Sequence, residues 1–244
     1  MKAAPQAQHK LLELQAVDTA IAQLEHRRRT LPEHARIAQG QKTRAQVAES
    51  IVAASTVAGD LELDLQKAEA DLVPVRERLA RDQQRVDSGA VTDGKQLTAL
   101  IDEIEHLKRR ISDLEDIQLE VMENHENATA EHERLVAERA EVENELRALI
   151  AARNEQVAEI DADLAQQRAA RDAIATELPQ ELVALYQRIA ERNGGAGVGL
   201  LQGRRCGGCQ LEATSSALAA YQAAAADEVL RCEECDRILV REAA

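Results

Sequence analysis

The chain has 244 residues, with no Trp, no Phe and two Tyr, and its formal net charge is −14. Without aromatics to fill a thick core, and with Ala, Leu, Val and Ile set among dense Glu and Arg, the composition excludes a large spherical core and predicts long helices packed through narrow seams. The charge argues against a basic stripe for phosphate backbones and against anionic membrane surfaces, and favours protein partners.

No stretch approaches the roughly 18 apolar residues that a membrane span requires. The opening MKAAPQAQHK has no apolar core of signal-peptide type. The expectation is a cytoplasmic protein with reduced thiols and no membrane partner.

From about residue 6 to 86 the sequence predicts one helix. A first apolar frame runs through Leu14, Val17, Ile21, Leu24, Arg28 and Leu31. A second runs from Ile51 through Leu61, Leu65, Leu72, Leu79 and Val86, with Asp82 as its one interruption. The frames do not join in phase, so a shift is expected between Pro32 and Val47, near Gly40. Pro74 removes one backbone bond and predicts a kink.

DSGAVTDGK (87–95) reads as a turn, with two glycines among turn formers. A second seam follows through Leu97, Ile104, Leu107, Ile111, Leu114, Val121, His125, His132, Leu135, Arg139 and Leu146. A shifted frame continues through Val157, Ile160, Leu164, Arg171 and Leu178.

Two matched helices around a short turn predict an antiparallel coiled-coil hairpin over 1–178. Turn-centred pairing sets Val86 against Leu97, Leu79 against Ile104, Leu72 against Ile111 and Leu61 against Val121. It places His125 and His132 opposite Ala58 and Ile51, and Arg139 opposite Arg44, where a bend or joint is expected. The two histidines are one heptad apart, about 10.5 Å along the axis, which suits register-fixing core positions better than a shared metal. Arg27–Arg29 and Arg109–Arg110 read as solvated faces paired with neighbouring Glu.

A break is expected at Leu178–Pro179. A short amphipathic helix over 180–192 then presents Leu182, Leu185, Tyr186 and Ile189, and Asn193-Gly194-Gly195 ends it. An extended segment leads to Cys206. Residues 179–244 thus form the second domain, this helix plus a metal-binding ribbon.

The spacing Cys206-x2-Cys209, then twenty-two residues, then Cys232-x2-Cys235 lets four sulfurs converge on one tetrahedral ion, so these four are the predicted ligands of one structural Zn²⁺. Gly207 and Gly208 are expected to relieve the backbone of the first turn, and Asp236 to adopt a left-handed conformation after the second. A pair of redox CxxC motifs would need strand-to-helix contexts that the flanks lack. Four thiolates fill the coordination shell, leaving no position for an activated water.

Arg204, Arg205, Arg231 and Arg237 lie beside the cysteines in sequence. They are expected to offset the site's negative charge and are the candidate nucleic-acid contacts. Tyr186 and Tyr221 read as packing for the ribbon. No nucleophile–base set, phosphate loop or paired-carboxylate pocket stands out, so neither an enzyme nor a small-molecule substrate is predicted.

LPQELVALYQRIAERNGG, CGGC, CEECDRILV and IDEIEHLKRRISDLEDIQLEVME, in this chain's order, resemble the bacterial family of coiled-coil proteins with a C-terminal C4-type zinc ribbon. The resemblance covers essentially the whole chain and implies a hairpin with the ribbon beside its helix termini, in a non-enzymatic adaptor. One member, from a flagellated pathogen, binds a flagellin messenger RNA and an alternative sigma factor, and a chlamydial relative associates with secretion components. At the hairpin tip the family's Asn-Asn-Lys-Glu-Tyr-Gln-Ala-Leu-like run is DGKQLTAL here, with Lys95, Ala99 and Leu100 in common.

The function expected is a zinc-binding scaffold for protein partners. The alternative is an RNA-binding regulator that uses the arginines around the ribbon.

Overall fold

The computed structural model describes residues 1–242. Three long helices come first: α1 (Pro5–Arg29), α2 (Pro32–Asp87) and α3 (Gly94–Thr176). The short helix α4 (Gln180–Arg192) follows. The C-terminal segment holds β1 (Val198–Gln202), β2 (Arg205–Cys206), α5 (Ser215–Ala223), β3 (Leu230–Arg231) and β4 (Ile238–Arg241). The chain is mostly α, as expected, with strands confined to the ribbon.

The expected single helix over 6–86 is two. Thr30 caps α1, donating its N–H to the carbonyls of His26 and Arg27, and Leu31 links it to Pro32. Proline disfavours helical geometry in the residue before it, yet serves well as the first residue of the next helix. The phase shift therefore falls at Thr30–Leu31, not near Gly40. Leu31 is buried with Ile160 and Leu164, and Ile21, Leu24 and Val157 pack around them. Pro74, by contrast, lies inside an uninterrupted α2.

By contacts the chain divides into two compact units, Arg36–Leu149 and Met1–Ala35 together with the chain from Ile150 onward. This division differs from a boundary at residue 178. The reason is packing: α1 and the end of α3 share their apolar faces with α4 and the sheet.

In the unit Arg36–Leu149, α2 and α3 run antiparallel on either side of residues 88–93. The seam read from the sequence is the less exposed stripe of both helices. Leu72, Ile104, Leu107, Leu114, Leu135 and Leu146 are buried, and His125 and His132 are half-buried in line with them. Asp82 is buried in the same stripe, between Arg78 at 3.8 Å and Arg85 at 3.4 Å.

Arg139 departs from the stripe. It is exposed and donates to Glu143 at 2.9 Å, and the carboxyl of Glu143 is lowered by that bond, with Arg44 and Arg147 adding attraction. Of the two arginines expected to oppose each other, Arg139 bonds this carboxylate and Arg44 acts on it only through its charge.

Register differs in detail from turn-centred pairing. A Cβ on Gly40 would lie 2.7 Å from Leu146, about one turn along α3 from Glu143, the partner expected at that height. Ala90–Asp93 are non-helical and advance the chain further per residue than a helix does, which displaces the pivot.

In the other unit, the sheet has the order β2-β1-β4-β3. The central pair β1/β4 is parallel and the outer pairs are antiparallel. Alternation along the strands gives two cores. Val198, Ile238 and Val240 face the helices, joining Leu11, Leu14, Leu178, Leu182, Tyr186 and Ile189. Leu201, Leu230 and Leu239 face the other way, packing with Cys206, Cys232 and Tyr221.

The N-terminus closes this unit. Ala3 donates its N–H to Asp227 at 2.7 Å, Val229 donates to Met1 at 3.1 Å, and the buried Gln8 amide donates to the Ala3 carbonyl at 2.8 Å. Among the described residues, no helix is long and apolar enough to cross a membrane.

Candidate metal centre

Two similar turns build the cysteine site. In the first, Gln210 donates its N–H to the Cys206 carbonyl at 2.8 Å, and Cys206 donates to Leu211 at 3.0 Å. In the second, Asp236 donates to Cys232 at 2.9 Å, and Cys232 donates to Arg237 at 2.9 Å. Each loop closes with a left-handed residue directly after its second cysteine, Gln210 at φ 64° and Asp236 at φ 62°. Asp236 matches expectation. Gln210 went unrecognised, although its place after Cys209 copies that of Asp236 after Cys235.

Gly207 and Gly208 serve a different purpose from the one expected. Neither has a positive φ. A Cβ on Gly207 would meet the Leu200 carbonyl oxygen at 2.9 Å, and one on Gly208 the Arg237 Cδ at 2.5 Å. The first turn lies flush against β1, where Gly199 has the same constraint towards the Gly208 nitrogen at 2.6 Å. The glycines allow close approach rather than an unusual backbone angle.

The four sulfurs of Cys206, Cys209, Cys232 and Cys235 lie within 4.8 Å of one another. Cys206 Sγ is 3.9 Å from Cys235 Sγ, and Cys209 Sγ is 3.9 Å from Cys232 Sγ. A tetrahedron with metal–sulfur bonds of about 2.3 Å has edges of about 3.8 Å, so the donor set fits one Zn²⁺. These distances are far beyond a disulfide bond.

Gly208 donates its N–H to Cys206 Sγ at 3.3 Å, a bond that favours thiolate. Without metal, burial pushes the Cys206 thiol up and the Cys232 thiol up to about 12. Burial also opposes ionisation of Cys235, but hydrogen bonds from the Arg237 backbone and side chain prevail and hold it at about 7. A bound dication reverses the burial effect, since coordinated thiols are deprotonated.

The arginines divide by what they touch. Arg237 donates to the carbonyls of Ala196 at 2.9 Å and Asn193 at 3.1 Å, so it braces the loop between α4 and β1. Arg231 donates to the Asp236 carbonyl at 3.1 Å and pairs with the Asp236 carboxylate. Arg205 lies 3.7 Å from Glu212. Arg204 is exposed, and Arg241 donates to Ala224 at 2.9 Å and Ala225 at 2.7 Å.

Both tyrosines are structural. Tyr221 donates to the Arg231 carbonyl at 3.1 Å and accepts from the Glu233 N–H at 3.3 Å, tying α5 to the second turn. Tyr186 is fully buried and donates to Asp18 at 2.8 Å, while Arg171 donates to the same carboxylate at 2.7 Å. Burial, followed by the Asp18 hydrogen bond, raises the Tyr186 phenol far above its usual range.

Residues 14–194 match the model of the CT398-like coiled coil hairpin domain, and residues 205–239 match the C4-type zinc ribbon domain. The chain belongs to the CT398-like coiled coil hairpin family. Within the family it is 40% identical to the "Uncharacterized protein Rv2229c" of Mycobacterium tuberculosis, over 99% of this chain and 98% of that one. A solved structure from Mycobacterium smegmatis superposes with a TM-score of 0.82 at 37% identity, covering 99% of this chain and all of that one. CT398 from Chlamydia trachomatis shares the fold at TM-score 0.68 and 17% identity, with 97% of this chain and 98% of that one covered. The C4 ribbon and the clustered thiols of this CT398-like chain assign it one structural zinc.

Proposed function

We propose that the protein is a non-enzymatic adaptor that docks partner proteins through its coiled-coil hairpin and its zinc ribbon. Coiled coils and zinc ribbons commonly serve as interaction modules. The observation that carries the reading is the outer surface of α2 and α3 within Arg36–Leu149. Large apolar side chains that the hairpin seam does not use stand in solvent there, among them Val52 at 67% exposure, Leu63 at 64% and Leu119 at 62%. Most exposed large apolar residues of the described chain lie in this unit. A filled four-thiolate shell, for its part, suits a folding role rather than chemistry.

The test is crosslinked capture from the native host with the zinc-loaded full chain. Leu63→Glu and Leu119→Glu are expected to deplete the captured proteins without changing helical content. Capture that is absent, or that both variants leave intact, would overturn the reading.

RNA binding through the ribbon draws less support, because Arg231 and Arg237 already spend hydrogen bonds on protein acceptors. It predicts affinity for RNA that falls steeply with salt and vanishes in Arg204→Glu/Arg205→Glu.

A further inference from the structure

At the break between α1 and α2, a cavity of about 800 Å³ opens against the final third of α3. Its floor is aliphatic, formed by Val157, Leu164 and Ala165. Its rim is basic in a chain whose net charge is −14. Two rim arginines are neutralised from the facing helix, Arg28 by Asp161 at 3.1 Å and Arg168 by Glu25 at 2.9 Å. Two are not: among the described residues, no carboxylate pairs with Arg29, and Arg153 is held by the neutral Asn154 amide at 2.8 Å. His34 completes the rim, donating from Nε2 to the Arg28 carbonyl at 3.1 Å.

Arg27–Arg29 read from the sequence as a solvated face paired with neighbouring Glu. In the structure, Arg28 pairs across to α3, and Arg29 stands free at the cavity mouth. The Pro32 break creates this opening, because it ends α1 before its last turn can continue along α3.

We infer that this cavity is a docking site for an acidic peptide segment of a partner protein, with an apolar side chain on the aliphatic floor and flanking carboxylates on Arg29 and Arg153. Charge complementarity selects the occupant. Guanidinium groups pair bidentately with carboxylates, and an unneutralised pair beside an apolar floor matches an amphipathic acidic segment. RNA fits less well: the one ring of the lining that could stack a base is the His34 imidazole, already tied to the Arg28 carbonyl, and two unpaired guanidinium groups are few for a polyphosphate chain. The inference rests on the reading of the chain as a protein-docking adaptor and names the chemistry of one partner contact.

The experiment uses the zinc-loaded full chain and fluorescence anisotropy with labelled peptides of about 15 residues, long enough for a helix-in-groove segment, carrying Leu or Ile anchors between Glu and Asp. Charge-swapped peptides with Lys, and an oligouridylate, serve as the other probes. Saturable binding of acidic peptides is expected, weakened about tenfold or more when Arg29→Gln and Arg153→Gln are combined, as for loss of charge-assisted hydrogen bonds.

Ala165 is exposed, so Ala165→Trp fills the cavity without disturbing the core and is expected to block binding equally. Circular dichroism confirms the fold of each variant. No saturable binding by the acidic peptides, binding indifferent to both variants, or binding of the oligouridylate in their place overturns the inference. Crosslinked capture by the wild-type chain, with no acidic peptide binding to that same chain, would sink the cavity site and leave the adaptor reading standing.

Discussion

At the residue scale, the centre depends on two backbone conformations as well as on four thiolates. Asp236 and Gln210 hold left-handed φ values of 62° and 64°, which side chains other than Gly, Asn and Asp adopt at a cost. Gln210→Gly is expected to stabilise the zinc-loaded ribbon by about 0.5–1 kcal/mol, and Gln210→Val to destabilise it by more, as read from thermal unfolding. Cys209→Ser or Cys235→Ser removes a ligand and should abolish stoichiometric zinc, measured by metal analysis of the purified protein.

The cysteine pairs were legible because metal-ligand spacing is a local pattern. Gln210 was legible in principle, from the repetition of the turn. Tyr186–Asp18–Arg171 was not, because its members come from α4, α1 and α3, and no spacing relates them. Tyr186→Phe should cost about 1 kcal/mol for the lost hydrogen bond to Asp18. Denaturant midpoints compared with those of wild type would show no change if the bond contributes nothing.

At the element scale, the seams of α2 and α3 follow from three- and four-residue spacing, and the observed burial follows them closely. The helix break and the phase shift coincide at Thr30–Leu31, ahead of the stretch between Pro32 and Val47 where the shift was expected. Gly40, near which the shift was expected, is a packing position inside α2, where Leu146 leaves room for hydrogen and little more. Gly40→Ile is therefore expected to destabilise the hairpin by about 1–3 kcal/mol through overpacking, whereas Gly40→Ala gains helix propensity and asks Leu146 to shift only a methyl group.

Gly197 is the stricter case. A Cβ there would lie 2.5 Å from the Tyr186 carbonyl oxygen and 2.7 Å from its ring. Both are fixed, so Gly197→Ala should lower the melting temperature of the ribbon more than Gly40→Ala lowers that of the hairpin.

At the scale of the whole molecule, the ribbon is not an appendage joined after residue 178. Its sheet has one face on the metal side, with Leu201, Tyr221, Leu230 and Leu239, and one face in the core of α1, α3 and α4, with Val198, Ile238 and Val240. Chelation should therefore release the cysteine turns and α5 while leaving most helical signal, since α5 has only nine residues. Hydrogen exchange should show the backbone of Val198 and Val240 protected longer than that of Cys206 and Cys232. Equal exposure at both faces would mean that the metal holds the entire sheet.

Zinc retention is also expected to fall with acid, because each bound thiolate must take up a proton before the metal leaves, and a chromogenic chelator would follow the release. The sequence by itself determined the helical class, the seams, the turn, the α4 helix and the four metal-binding positions, since each is written in local periodicity or spacing. Only the tertiary structure decided which faces share a core, where the register falls, which arginines are already engaged, and that the Pro32 break opens a basic cavity. Those outcomes depend on side chains distant in the chain competing for the same space and charge, and no local pattern records such competition.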